Sequence, residues 1–254
     1  MAVLVGIHPV REALRARSRS FQYLAVSRDR RDARINELVR LAREQGIGVR
    51  FESPAALEHL AGSPRHQGAV GVVAAKPLLA LEDLFAAPAA SPSPGLLIAL
   101  DGIEDPHNLG AILRSAAAAG AGGAVIPARR AAPLNETVAR ASAGGLEHVP
   151  VAQASNLAAA LEKAKAAGYW IVGLEAASPQ PIWRHDFTLP TLLVVGGEGR
   201  GLHELIRKRC DFLVSIPLAA GVASLNASAA AAVALFEVVR QRQGFGGGPP
   251  GQKT

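Results

Sequence analysis

The chain has 254 residues, 49% of them hydrophobic and only 4% aromatic, with a formal net charge of +6 at pH 7. That length allows one large or two smaller domains, with a core mostly of Ala, Val, Leu and Ile. So few aromatic residues argue against a protein that holds single-stranded nucleic acid mainly by stacking. One cysteine, Cys210, excludes a disulfide framework and any multi-cysteine zinc site. Its neighbours Lys208, Arg209 and Asp211 leave two readings, a thiol of lowered pKa or a small residue at a helix end. The seven histidines are scattered with no His-x-x-x-His pair, so no metal is expected.

The elements in chain order begin with a short apolar run, Val3–Ile7, and a helix from Pro9 to Leu14 with proline near its start. Tyr23–Val26 reads as a strand. Ala33–Gln45 has helical apolar spacing ended by Gly46. Val49–Phe51, Pro54–Leu60 and Val70–Ala75 read as strand, short helix and strand. This makes residues 1–76 a small α/β domain. Residues 77–94 have linker composition, with Pro77, Pro88, Pro92 and Pro94 and a possible short turn at Leu81–Phe85.

A second domain spans 95–243. Its strands are expected at Leu96–Leu100, Ala124–Ile126, Val149–Val151, Tyr169–Leu174, Leu192–Val195 and Phe212–Ile216. Its helices are expected near Leu109–Ala119, Asn135–Ala143, Asn156–Ala167, Leu202–Arg209 and Leu225–Gln243. Such alternation implies a mostly parallel sheet covered on both faces. The tail 244–254 is Gly/Pro-rich and reads as disordered.

The charge is uneven. Residues 1–76 carry 13 Lys/Arg against 7 Asp/Glu, and residues 77–254 carry 14 of each. The excess is largely arginine, at Arg11, Arg15, Arg17 and Arg19 and again at Arg28, Arg30, Arg31 and Arg34. A planar, always charged guanidinium suits phosphate oxygens, which favours nucleic acid over a merely solvated surface. The N-terminus lacks the basic region of a signal peptide. Ser215–Phe236 has no charge over 22 residues, but Pro217, Gly221, Ser224, Asn226 and Ser228 interrupt it. It reads as a buried element rather than a membrane span, and the protein as cytoplasmic.

Three polar segments stand at strand ends, where open α/β sheets bind ligands. The first is Asp101-Gly-Ile-Glu-Asp-Pro-His-Asn-Leu-Gly110, followed by Arg114. Asp105 is expected to cap a helix that opens with Pro106. On one straight helix Asn108 and Arg114 would point about 120° apart, so they converge only if Asn108 belongs to the turn. Alone, Arg114 also reads as a surface arginine. The second is Gly196-Gly-Glu-Gly-Arg-Gly201, which lacks a Walker lysine and the glycine spacing of a dinucleotide loop. Its glycines permit close backbone approach, with Glu198 as the carboxylate in the turn. The third is Ser224-Leu-Asn-Ala-Ser228, with Ser224 as the expected cap of the last helix and Asn226 in its first turn.

In order and spacing these segments resemble the three signature motifs of the SpoU/TrmH family of RNA ribose 2′-O-methyltransferases. Gly6-Ile-His-Pro-Val-Arg-Glu-Ala-Leu14, His66-Gln-Gly68 and Val238-Val-Arg-Gln-Arg242 resemble its 23S rRNA guanosine subgroup. The resemblance covers about residues 3–243. It implies an α/β C-terminal SPOUT domain, a trefoil-knotted parallel sheet, behind a small N-terminal α/β RNA-binding domain. It implies a homodimer and S-adenosylmethionine bound near Gly196, Gly197, Ile216, Leu218 and Leu225. It assigns catalysis to Arg114, Asn108, Glu198, Ser224 and Asn226. Arg114 is implied to activate the ribose 2′-hydroxyl. Because arginine keeps its proton in proteins, a cation that steadies the developing alkoxide is the preferred role. The partner is then 23S rRNA or an assembling large ribosomal subunit. Alternatives are a tRNA or other rRNA methyltransferase of the same family, a non-catalytic ribosome-assembly protein, and a glycine-loop nucleotide hydrolase.

Overall fold

A computed structural model of the chain describes residues 2–86, 94–199, 201–220 and 222–243. The tail 244–254, the proline-rich stretch 87–93, Arg200 and Gly221 lie outside the described residues.

The first unit is a four-stranded sheet between helices. Its strands are β1 (Ala2–Val5), β2 (Phe21–Ser27), β3 (Val49–Glu52) and β4 (Ala69–Val73), in the order β1-β4-β2-β3. β4 runs antiparallel to β1 and β2, and β3 parallel to β2. Helices α1 (Ile7–Ala16) and α2 (Ala33–Glu44) bury Val10, Leu14, Ile35 and Leu38 against Leu4, Leu24, Val26 and Val73. Helix α3 (Pro54–Ala61) packs Leu57 and Ala61 on the opposite face with Val5, Ala25 and Val70. Central β4 is therefore buried at every position, and apolar throughout.

The stretch expected as a linker is structured at its start. Leu79 pairs with Ala152, and α4 (Leu81–Ala86) buries Leu84 and Phe85 against the second sheet. A Cβ at Gly123 would sit 2.2 Å from Leu84 Cδ1, so that glycine admits the helix. Proline-rich composition had concealed two apolar anchors.

The second sheet has the strands β5 (Leu96–Asp101), β6 (Gly123–Pro127), β7 (Val151–Ala154), β8 (Trp170–Leu174), β9 (Thr191–Gly196) and β10 (Phe212–Val214). Their order is β10-β8-β9-β5-β6-β7, and every pair is parallel. One face carries α5 (Pro106–Ala118) and α10 (Ala227–Arg242), the other α8 (Leu157–Ala166) and α9 (Glu204–Arg209). Leu96, Ile98 and Leu100 point to the first face, Leu97 and Ala99 to the second. Strands buried on both sides need unbroken apolar runs, which is how they read in the sequence. Sequential β9 and β10 are not neighbours, because β8 lies between them.

Several boundaries differ from the sequence reading. The helix expected over Asn135–Ala143 is shorter, α6 (Glu136–Ala141), and a separate turn of helix that was not expected, α7 (Gly145–His148), follows a break where Ala143 and Gly144 take φ of 47° and 91°. The strand expected at Val149–Val151 lies at Val151–Ala154. Asn226, not Ser224, caps the last helix; its Oδ1 accepts from the Ser228 and Ala229 amides. Among the described residues no helix is long and apolar enough to cross a membrane.

The two units share one continuous apolar core through α1, α6 and α7. At that joint Arg19 faces Glu147, with Nη2 2.8 Å from Oε1 and both side chains at most 3% exposed. Arg19 Nε donates to Glu147 Oε2 at 3.0 Å, and Ser18 Oγ donates to the same oxygen at 2.6 Å. The Nη2 contact is an ion pair without hydrogen-bond geometry. Arg19 thus leaves the basic surface that its sequence cluster suggested. Removing one member of a buried pair strands the other charge, at a cost of about 3–5 kcal/mol. Urea denaturation of Arg19→Met is expected to show a loss of that order, with Arg17→Met within about 0.5 kcal/mol of wild type as the surface control.

Candidate active site

The carboxyl ends of β5, β8, β9 and β10 face a common edge, and two clefts open there. The first, of about 500 Å³, lies over the ends of β8, β9 and β10 and the start of α10. Leu174, Val195, Val214, Ile216, Leu218 and Ala230 supply apolar walls, and Ser224, Leu225 and Asn226 close one side. The second, of about 400 Å³, is polar and lies beside the end of β5. Asp101, Glu104, Asn108, Arg130 and His203 line it. Gly197, Glu198 and Gly201 border both clefts.

The dividing turn exists because its glycines lack side chains. A Cβ on Gly196 would lie 2.2 Å from the Gly201 carbonyl carbon, and one on Gly197 2.3 Å from the Gly102 oxygen. The Gly197 amide donates to Asp101 O at 2.9 Å, which folds the turn onto the end of β5. Gly199 and Gly201 take φ of 80° and 63°, a region that costs glycine little.

Three polar side chains meet at this turn. Helix α5 opens as its sequence predicts, with Asp105 Oδ1 accepting the His107 amide at 2.9 Å. Asn108 follows in the first turn and is only 8% exposed. Its Nδ2 donates to Glu198 Oε1 at 2.9 Å. Asn226 Nδ2 donates to the same oxygen at 2.6 Å and to Asn108 Oδ1 at 3.0 Å. One carboxylate oxygen therefore gathers residues from all three motifs.

Of the residues expected at the site, Gly196, Gly197, Glu198, Ile216, Leu218, Ser224, Leu225 and Asn226 line the first cleft. Arg114 does not join them. Asn108 belongs to the helix and not to the preceding turn, so the two residues diverge by about 120°. Arg114 is exposed, and its backbone packs against Gly145 on the side where α7 lies. Missed from sequence were Leu174, Glu175 and Ala176 at the end of β8, and Asp101, Arg130 and His203 in the second cleft. β8 became visible as a wall only once the strand order placed it beside β9. Cys210 is no activated thiol. Burial, and then the adjacent Asp211, push it up to about 12.

The first cleft has the size and apolar lining of a small-molecule site with a few oriented polar groups. The second is open and polar, with one arginine among carboxylates and amides.

Comparison with known proteins agrees with this geometry. The SpoU rRNA Methylase family matches residues 95–236, and the family of RNA 2′-O ribose methyltransferase substrate-binding domains matches residues 3–79. The chain is 41% identical over 241 residues to a 23S rRNA (guanosine-2′-O-)-methyltransferase, RlmB, of Ralstonia nicotianae, covering 94% of this chain and 96% of that protein. It is 40% identical over 243 residues to YacO of Bacillus subtilis, a putative TrmH family tRNA/rRNA methyltransferase, covering 96% and 97%. The crystal structure of the SpoU methyltransferase AviRb from Streptomyces viridochromogenes, in complex with the cofactor AdoMet, superposes with a TM-score of 0.79 at 30% identity. That match covers 95% of this chain and 90% of AviRb. The second domain thus has the SPOUT fold, and the chain belongs to the SpoU rRNA methylase family of RNA methyltransferases.

Proposed function

We propose that the protein methylates a guanosine ribose 2′-hydroxyl in 23S rRNA, using S-adenosylmethionine bound in the first cleft. The observation that carries the reading is the meeting of Asn108, Glu198 and Asn226 on the wall between an apolar cleft and a polar one. When bound, S-adenosylmethionine supplies an electrophilic methyl group on a sulfonium. The glycine turn brings main-chain groups to that cleft, and Ile216, Leu218 and Leu225 exclude water from it. Asn108 and Asn226 hold Glu198 and set the shape of the shared wall. Ser224, exposed at its rim, completes the polar border.

The preference for rRNA rests on the first domain. The 23S rRNA enzyme of R. nicotianae aligns with 94% of this chain. Solved structures of a TrmH/SpoU tRNA modifying enzyme and of a protein acting on tRNA C/U34 align with only 65% and 59%. The extra domain presents Arg28, Arg31 and Arg34 on the exposed loop and start of α2, suited to rRNA phosphates. Arg30 is engaged there with Asp32 and the Gln67 carbonyl.

Arg114 serves a second copy of the chain. It is exposed and lines neither cleft of its own chain. Phe236, 48% exposed on α10 beside α5, gives that helix pair an apolar contact for a homodimer. In the partner's site the Arg114 guanidinium steadies the developing alkoxide while keeping its proton.

Three outcomes follow. Labelled methyl transfer to rRNA lacking the modification, with nucleotide mapping, is expected at a single 23S guanosine; a signal confined to tRNA would refute the rRNA assignment. Arg114→Ala and Asn226→Ala are each expected to be inactive as pure proteins. Co-expressed, they should regain up to about half the wild-type activity per mixed dimer, because one of its two sites then has both groups; no recovery would refute action across the dimer. Glu198→Ala is expected to weaken S-adenosylmethionine binding on the order of tenfold by calorimetry, the worth of one charge-assisted hydrogen bond.

A further inference from the structure

The first cleft is one-sided in charge. Among the described residues that line it, Glu175 and Glu198 are the ionisable ones, and no lysine or arginine joins them. Glu198 is held by two amides, which leave its charge in place. Glu175 follows β8 directly and stands between the ends of β9 and β10, because β8 lies between those strands. Its main chain is pinned on both sides. The amide donates to Val214 O at 2.9 Å, and the carbonyl accepts the Ser178 amide at 3.0 Å. Ser178 Oγ in turn donates to Leu213 O at 2.7 Å. The half-buried carboxylate makes no hydrogen bond or ion pair with any described residue. The backbone of Glu175 is thus committed to the fold, and its charge to the cleft.

We propose that Glu175 reads the charge of the methyl donor: its carboxylate makes the cleft prefer cationic S-adenosylmethionine to the neutral product, S-adenosylhomocysteine. This rests on the reading above that the donor occupies the first cleft. Donor and product share an adenosine and an amino-acid end. They differ by one methyl group and one positive charge, since transfer turns the sulfonium into a neutral thioether. The apolar walls hold the shared parts alike.

A carboxylate separates the two molecules by Coulomb attraction, which acts over several ångströms and needs no direct contact. Between walls such as Leu174, Val195, Val214 and Ile216, solvent and salt screen that attraction less than at an open surface. The start of α10 is a positive helix end, but its Ser228 and Ala229 amides are capped by Asn226 Oδ1. Loss of the methyl group therefore weakens the hold of the cleft on what remains, and the product gives way to the next donor. Glu175 is a specificity residue and takes no part in the bonds that form or break.

The test is calorimetric and needs no turnover. Three ligands are titrated into the full chain and into Glu175→Gln. They are S-adenosylmethionine, S-adenosylhomocysteine, and sinefungin, an analogue with a protonated amine-bearing carbon in place of the sulfonium. The substitution removes the charge and keeps the shape. Glu58→Gln, exposed on α3 and lining neither cleft, controls for net charge. Glu175→Gln is expected to weaken both cationic ligands about fivefold, the size of a partly exposed charge pair, and to leave the product within about 1.5-fold of wild type. Retained product binding also shows that the cleft is folded. The difference should shrink as salt rises. Equal weakening of all three ligands would overturn the proposal, because it would mark a contact to an end they share. Unchanged binding of all three would overturn it as well, with the methyltransferase reading intact. Failure of wild type to bind any of the three would overturn both.

Discussion

Glu198 Oε1 accepts hydrogen bonds from Asn108 Nδ2 and Asn226 Nδ2, and on this shared oxygen the edge of the second sheet is organised. The three residues come from the turn after β9, the first turn of α5 and the cap of α10. No other polar contact among the described residues joins all three segments. An ionised carboxylate is acceptor-only, and two amide donors satisfy it without a cation. The glycines beside it have the same cause. The turn passes so close to Gly102 and Leu202 that any side chain at Gly196 or Gly197 would collide with backbone. A cleft on each side of a thin wall follows from that close approach.

One helix serves both the wall and an outer surface. Helix α5 carries Asn108 and Arg114 on different sides, because six residues of helix turn a side chain well away from its starting direction. Asn108 belongs to the wall of its own chain, and Arg114 faces outward. Within one chain Arg114 therefore stands apart from Asn108, Glu198 and Asn226.

The first domain is joined to the second by more than a tether. A continuous apolar core, the buried Arg19–Glu147 pair and the contact of Glu12 Oε2 with His148 Nε2 at 2.9 Å bridge the units. Gly144 sits directly under Glu12 at this joint, where a Cβ would meet Glu12 Cγ at 2.4 Å. Arg28 and Arg31 on the loop before α2, and Arg34 at the start of that helix, stand clear of the joint. Charge in the first third of the chain thus has two uses, one structural and one directed at solvent.

Much of this was legible in the residues. Alternating apolar runs and helical stripes marked a parallel sheet covered on both faces, since such strands have no solvent side to interrupt them. The three motifs announce themselves as polar breaks at strand ends, and Glu198 in its glycine turn is where hydrogen bonds join them. Local signals failed where long-range contacts decide. Leu81–Phe85 reads as no more than a short turn within a linker because the partners of Leu84 and Phe85, Gly123 on β6 and Tyr169 just before β8 among them, are remote in sequence. Ser224 and Asn226 are both good caps by type, and only the pull of Glu198 and Asn108 on Asn226 shows which residue takes the helix end. Asp101 Oδ1 and His203 Nδ1 meet at 3.0 Å across 102 positions of chain, and no spacing rule relates them. Which elements form and which chemical groups are at hand follow from the residues alone, because periodicity and turn chemistry are local. The tertiary structure alone decided which strand ends are neighbours, which arginine is buried and which faces away, because those depend on strand order and helix rotation.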